Sequence, residues 1–308
     1  MGITMKTPFD SLIKEFVKEV GSTGPVAIEG GKTRWNLHGL PTAETNIIRA
    51  PSGIITHTPE EMIVKVRAGT TVMELHKDLK KNGQRTSLPE RGGTVGGAIA
   101  VGENHLNMLG RGRVRDAVLQ IRYISAEGEI ITCGAPVVKN VSGFSLHKLM
   151  VGSLGTLGVI AEVTLRTNPI PDMSTWVTAS SKTPQDIFNA LYKPSAVLWD
   201  GETIWVHLEG HVSDIENQRK TLLNLGNFEA VEDAPGLPRY RWSMKPSDLV
   251  QINRQETGNF VASIGVGTLW ADRPQPRKPV DQVSEKITKE LKHQFDPHGR
   301  LNPGRTFL

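Results

Sequence analysis

A single cysteine, Cys133, stands in 308 residues, which excludes an internal disulfide and an iron–sulfur cluster held by this chain alone. No run of ~18 apolar residues occurs, so a membrane-spanning helix of ordinary length is excluded. The stretch Met1 to Asp10 lacks the apolar core of a signal peptide, and a cytoplasmic location is the expectation. Aromatics make up only 6% of the chain, and the basic residues behind its net charge of +4 are dispersed. The interleaved basic and aromatic surface of a nucleic-acid binder is therefore missing. Internal repeats and low-complexity tracts are missing too. What is there, 38% hydrophobic and 22% charged residues, is the composition of a folded globular protein, long enough for two domains.

The apolar spacing predicts an opening helix, capped by Thr7 and Pro8, through Leu12, Phe16, Val17 and Val20 to a stop at Gly21. A short strand, Val26 to Ile28, runs into the glycine turn Gly30-Gly31. "GIITHTPEEMIVKVRAG" alternates as a hairpin does, and the next helix, Thr71 to Asn82, puts Val72, Leu75 and Leu79 on one face before Gly83. A second hairpin turns at Glu127-Gly128, a short helix covers Leu146 to Met150, and "GVIAEVTLRTNPIP" reads as a strand with a proline-rich exit. Beyond it, helices "TPQDIFNALYK" and "VSDIENQRKTLLNL" interleave with strands "AVLWDGETIWVHLEG" and "NFVASIGVGTLW", the alternation of an α+β domain. "DQVSEKITKELKHQF" is a last amphipathic helix.

Three glycine clusters punctuate the first half: Gly30-Gly31, then Gly92 to Gly102, then Gly152, Gly155 and Gly158. Glycine lets backbone N–H groups converge on a phosphate without a Cβ in the way, and a helix opening after "GGTVGGAIA" adds the favourable end of its dipole. A pyrophosphate is the ligand this pattern suggests. Two common nucleotide motifs fail. Gly31-Lys32-Thr33 ends like a P-loop, but Val26 stands where the first glycine is required. "GSLGTLG" precedes a β-branched strand, where a dinucleotide fingerprint must open a helix.

Residues 137 to 165, "VVKNVSGFSLHKLMVGSLGTLGVIAEVTL", together with "GGTVGGAIA" and the tail "FDPHGRLNPGR", closely resemble the FAD-binding E-type subunits of bacterial glycolate oxidases. These belong to the vanillyl-alcohol-oxidase-like flavoproteins with a PCMH-type FAD-binding domain. The resemblance implies an α+β fold: a two-part FAD-binding domain over 1–172, a smaller α+β cap over 173–285, and a C-terminal segment, 286–308, returning to the first domain. It implies FAD as cofactor, with Gly30, Gly31, Lys32 and Thr33 as the first pyrophosphate loop and Gly93, Thr94, Val95, Gly96 and Gly97 as the second. Ser153, Gly155, Thr156, Gly158 and Ile160 match the segment along the nucleotide. The implied reaction is oxidation of a small 2-hydroxy acid to the 2-oxo acid, with electrons leaving through an iron–sulfur subunit beside a larger flavoprotein subunit. The complex would then lie in the cytoplasm or peripherally at the inner membrane. Two alternatives stay open: a non-catalytic FAD-binding or scaffolding subunit of that complex, and a free-standing FAD oxidoreductase of the same fold. The chain departs from the pattern at "EGGKTRW", which is short of one glycine, and at Phe144 and Ser145, where tyrosine and aspartate are usual.

The remaining candidates are weaker. Arg111, Arg113 and Arg115 follow the second glycine loop, either as a solvated run or to neutralise a phosphate, and Arg113 is kept as a cofactor candidate. His207, Glu209 and His211 lack the spacing of a zinc site, so no metal is expected. No catalytic residue can be named: His207, Arg239 and Arg241 are the residue types that proton abstraction from a hydroxy acid needs, without a pattern to join them. Asn302 in the tail is a further residue considered near the flavin, in a segment read chiefly as a docking element.

Overall fold

The structure, a computed structural model, describes residues 10–37, 39–137, 145–276 and 281–305. Its described residues form two compact units, one from 10–105, 113–169 and 281–305, the other from 106–112 and 170–276. The segment 106–112 thus groups with the second unit and the helix Gln282–Phe295 with the first, where the sequence suggested divisions after 172 and 285. The "VKNVSGF" motif and the Thr7-Pro8 cap lie outside the described residues.

In the first unit a five-stranded antiparallel sheet runs in the order Ile54–Thr58, Ile63–Arg67, Val159–Arg166, Val118–Ile124, Ile130–Gly134. Its central strand, Val159–Arg166, is buried along almost its whole length, which explains why its sequence is nearly continuous in apolar residues. The end of this strand, Val163 and Leu165, packs with Val72, Leu75 and Leu79 of the helix Val72–Leu79. Its start, Val159 and Ala161, packs with Ile13, Phe16 and Val20 of the opening helix Asp10–Val20. Glu162, buried between them, accepts from Arg122 and pairs with Lys65, each at 2.9 Å. Without these cations a carboxylate at this depth would be costly. The helix Val72–Leu79 begins where Thr71 accepts from the Glu74 amide and is followed by a 3-10 turn ending at Gly83, whose φ of 65° suits glycine. A small parallel pair, Val26–Ile28 with Asn46–Ile48, is extended by a bridge from Val26 to Leu301 near the C-terminus.

The second unit is built on a seven-stranded antiparallel sheet in the order Glu229–Val231, Met173–Ser180, Thr203–Gly210, Ala196–Trp199, Phe260–Ser263, Thr268–Ala271, Tyr240–Ser243. Ile187 of the helix Pro184–Ala190 and Ile215 and Leu222 of the helix Val212–Leu223 join one core with Val177, Val206 and Leu208. Leu198, Val261 and Trp270 form a second cluster with Leu106, Trp176 and Trp205. The hairpins around Asp200 and Gly265 match the apolar runs of the sequence. The two edge strands, Glu229–Val231 and Tyr240–Ser243, do not, because edge strands bury too little to leave a clear pattern. Among the described residues no helix is long and apolar enough to cross a membrane.

Cys133 lies buried on the core side of the strand Ile130–Gly134, its thiol donating to the Ile121 carbonyl, and burial pushes its pKa up to about 11. A neutral, inaccessible thiol is a poor nucleophile. Native protein at pH 8 is therefore expected to react with a disulfide reagent at least ~10-fold more slowly than protein in denaturant. Equal rates, read by thiolate release, would place Cys133 at the surface.

Candidate cofactor-binding cleft

The strand Val26–Ile28 delivers the first glycine loop, residues 29–35, to the wall of a cleft of about 1030 Å³, part of it open to solvent. Lys32 adopts φ 56°, a left-handed conformation. A turn of this kind draws successive amides toward one point. Among the described residues the amides of Gly30, Gly31, Lys32 and Thr33 donate to no protein acceptor. Glu29, at the root of the loop, pairs with Lys32 at 2.7 Å and accepts from Arg49. The hydrogen bond from Lys32, reinforced by Arg49, holds the Glu29 carboxyl below the usual carboxylate range.

The second loop, residues 91–94, is pinned from outside its own segment. The Val72 amide donates to the Gly93 carbonyl at 3.0 Å, and the Val95 amide to the Thr70 carbonyl at 2.8 Å. The two glycine loops touch: a Cβ on Gly31 would sit 2.7 Å from the Gly93 Cα, and one on Gly30 would sit 2.6 Å from the Thr94 hydroxyl. These glycines serve loop-to-loop packing as much as access to a ligand.

The helix Val95–Val101 opens behind this loop, yet its first amides are already used. Val95 donates to Thr70, Gly96 to the Ala68 carbonyl at 2.8 Å, and Gly97 to the Thr94 side chain at 3.2 Å. The phosphate-binding helix start expected from "GGTVGGAIA" is therefore corrected: the amides left open here are those of Gly93 and Thr94 ahead of the helix.

The third segment is tied to this helix by amides of Gly152 and Leu154, which donate to the carbonyls of Ile99 and Ala100. Its Gly155, Gly158 and Ile160 line the cleft. So do Gly30, Gly31, Lys32 and Thr33 of the first loop and Gly93, Thr94, Gly96 and Gly97 of the second.

Four expected residues do not line it. Val95 is fully buried in the core. Ser153 and Thr156 are buried turn formers, the Ser153 hydroxyl donating to Met150 and the Thr156 hydroxyl to the Ser153 carbonyl. Arg113 is exposed, at the start of the short helix Val114–Ala117. Arg111 belongs to the segment grouped with the second unit.

The cleft contains residues that the sequence did not single out for it. Glu103, 8% exposed, accepts from Arg34 at 3.0 and 3.1 Å and from Arg91 at 2.8 Å. Arg305 lies over the Trp35 ring, 4.5 Å from its centre, with Lys32 5.5 Å from the same ring. Four cations, Lys32, Arg34, Arg91 and Arg305, against two anions, Glu29 and Glu103, leave the lining positive. Alanines 50, 68, 98 and 100 with Leu154 and Ile160 supply an apolar stretch. Such a cleft, with open amides, a cationic excess and an apolar wall, fits a ligand that joins a pyrophosphate to flat ring systems.

A family model described as FAD binding domain matches residues 13–134, a span holding both glycine loops. The chain thus carries an FAD-binding domain. Its cofactor is FAD. The chain is 25% identical to glycolate oxidase subunit GlcE of Escherichia coli K12, over 96% of this chain and 97% of that one. It is 37% identical to a D-lactate dehydrogenase of Anaerostipes hadrus, over 38% of this chain and a quarter, 25%, of that enzyme. Among solved structures, alkyldihydroxyacetonephosphate synthase superposes with a TM-score of 0.72 at 13% identity, covering 96% of this chain and 74% of that one. That likeness shows the α+β fold.

In the second unit, the buried His207 shares a hydrogen bond of 2.9 Å with Ser174 and stacks at 4.4 Å on Trp176, while Glu209 accepts from Ser195 at 2.8 Å. His211 is exposed and pairs with Asp172 at 2.6 Å. His207 and His211 thus have separate surroundings, and among the described residues no three His, Cys, Asp or Glu side chains gather as a metal site would require.

Proposed function

We propose that this chain is the FAD-binding subunit of a glycolate oxidase-like dehydrogenase that converts a small 2-hydroxy acid to the 2-oxo acid. The observation that carries this reading is the similarity to GlcE over nearly the full length of both chains, joined to a cleft whose open amides and charge suit FAD. The amides of Gly30 to Thr33, with Gly93 and Thr94, hold the pyrophosphate, and Lys32, Arg34, Arg91 and Arg305 neutralise it. Glu103 keeps two of those guanidiniums against the cleft wall before the cofactor arrives. Bound FAD supplies a two-electron acceptor for the hydride on the carbon bearing the hydroxyl. The lone cysteine supports a division of labour in which a larger flavoprotein subunit and an iron–sulfur subunit complete the complex and carry the electrons away.

One observation favours a second reading, a subunit that binds FAD without oxidising substrate: among the described residues no histidine, tyrosine or cysteine lines the cleft, so none of them offers a base near neutral pH there. Anaerobic titration of the FAD-loaded chain with glycolate and with D-lactate separates the two. Bleaching of the flavin absorbance in the isolated chain is the expected result. Bleaching only after partner subunits are added establishes the second reading, and a chain that takes up no FAD overturns both.

A further inference from the structure

The C-terminal segment meets the cofactor cleft through one side chain. Asn302 is 4% exposed and lines the cleft. Its Oδ1 accepts from the Ile28 amide at 3.1 Å, and its Nδ2 donates to the Leu154 carbonyl at 2.7 Å. Its own amide donates to the Val26 carbonyl at 2.8 Å. Ile28 leads directly into the first glycine loop, and Leu154 sits in the third glycine segment, beside Gly155. A Cβ on Gly155 would collide with Asn302 Nδ2, so the turn is shaped around this amide. The two walls are 126 residues apart in the chain by the positions of Ile28 and Leu154, and the Asn302 carboxamide spans them.

The choice of residue follows from geometry. The site needs an acceptor and a donor about two bonds from one Cβ, in a neutral group, since a charge here would be buried. It also needs tolerance of φ 46°, which asparagine has and most residues lack. Both requirements select asparagine.

The neighbouring bonds hold the segment in place. Asp296 accepts from the amides of Arg300 and Leu301 at 3.0 and 2.8 Å, and Lys292 donates to the Thr156 carbonyl at 2.7 Å. Two walls of the cleft are therefore braced by a segment that contributes little to the sheet itself.

We infer that Asn302 is the positioning residue through which the C-terminal segment sets the spacing of the FAD cradle, so that FAD binding and docking of residues 296–305 are thermodynamically linked. This rests on FAD occupying the cleft. By reciprocity, whatever docking adds to FAD affinity, FAD adds to docking.

The test uses the full chain, N302G and N302A. Glycine keeps φ 46° free of strain while losing the carboxamide; alanine adds the strain. Loss of two hydrogen bonds that align the walls is expected to raise the FAD Kd roughly 10- to 100-fold in N302G, and more in N302A. In the wild type, saturating FAD should slow amide exchange of residues 296–305, and in N302G that protection should be largely lost. Ile187→Ala, in the core of the second unit, serves as a variant of comparable stability loss and should keep the wild-type Kd. N302G binding FAD within about twofold of wild type, or I187A weakening FAD as much as N302G, overturns the inference. A wild-type chain that takes up no FAD overturns the cofactor reading beneath it.

Discussion

Gly31→Ala is expected to raise the FAD Kd at least ~100-fold. The added Cβ would lie 2.7 Å from the Gly93 Cα and 3.2 Å from its nitrogen. Both are backbone atoms, so no side-chain rotation relieves the clash. Nor can the second loop retreat cheaply, because Gly93 and Val95 are pinned to Val72 and Thr70 on the neighbouring helix start. The first loop must therefore shift, and its open amides no longer converge with those of Gly93 and Thr94. Quenching of flavin fluorescence on titration gives the Kd directly. Gly236→Ala is the control, since a Cβ there meets nothing within 4 Å. Wild-type affinity in Gly31→Ala would mean that the contact between loops does not shape the site.

Arg300→Met is expected to produce a large loss of stability in the first unit, roughly 3–5 kcal/mol as several buried carbonyls lose their donor. Arg300 is 5% exposed, and its guanidinium donates to four carbonyls: Gly24 at 2.9 Å, Ala126 at 2.9 Å, Val20 at 2.6 Å and Thr23 at 3.2 Å. These belong to the end of the opening helix, the loop after it and the turn of the second hairpin, so one planar group staples three segments to the C-terminus. Burial pulls the guanidinium below its ordinary pKa, with Asp296 opposing, and the cation persists at any working pH. Methionine fills the space but leaves the carbonyls without donors. Lysine keeps the charge yet lacks the fork needed to reach all of them, so R300K should recover less than half of the loss. Urea unfolding of the cofactor-free chain is the measurement, because bound FAD would add stability by mass action. A loss below about 1 kcal/mol would show that water satisfies these carbonyls instead.

Much of the site was legible in the sequence for a local reason. Glycine declares itself by residue type, and Gly92, Gly93 and Gly155, with φ of 75°, 84° and 71°, occupy backbone conformations that other residues rarely adopt. The spacing of the loops and the long similarity of residues 137 to 165 then pointed to the cofactor. Hairpins and helices with one buried face were legible for the same reason, since period and burial are properties of neighbouring residues.

The errors share a cause. "GGTVGGAIA" looks like a helix start open to phosphate, but whether its amides are free depends on the carbonyls of Ala68 and Thr70, which approach from another element. Val95, Ser153 and Thr156 sit inside the matched motifs and still face the core or their own turn, because a motif does not state which side of the backbone meets the ligand. Arg34, Arg91 and Glu103 carry no motif, and the bond from Arg34 to Glu103 spans 69 residues.

Composition and glycine spacing by themselves pointed to a globular chain long enough for two domains with loops suited to a pyrophosphate, because conformational freedom and apolar period are written residue by residue; FAD came from the resemblance of longer stretches. Which amides stay open, which cations face them, and that Asn302 and Arg305 complete the cleft were settled only when distant segments packed together. The bond between Ile28 and Asn302 joins positions 274 apart. No local pattern records such a contact, since its free energy comes from closing the fold rather than from any stretch of chain.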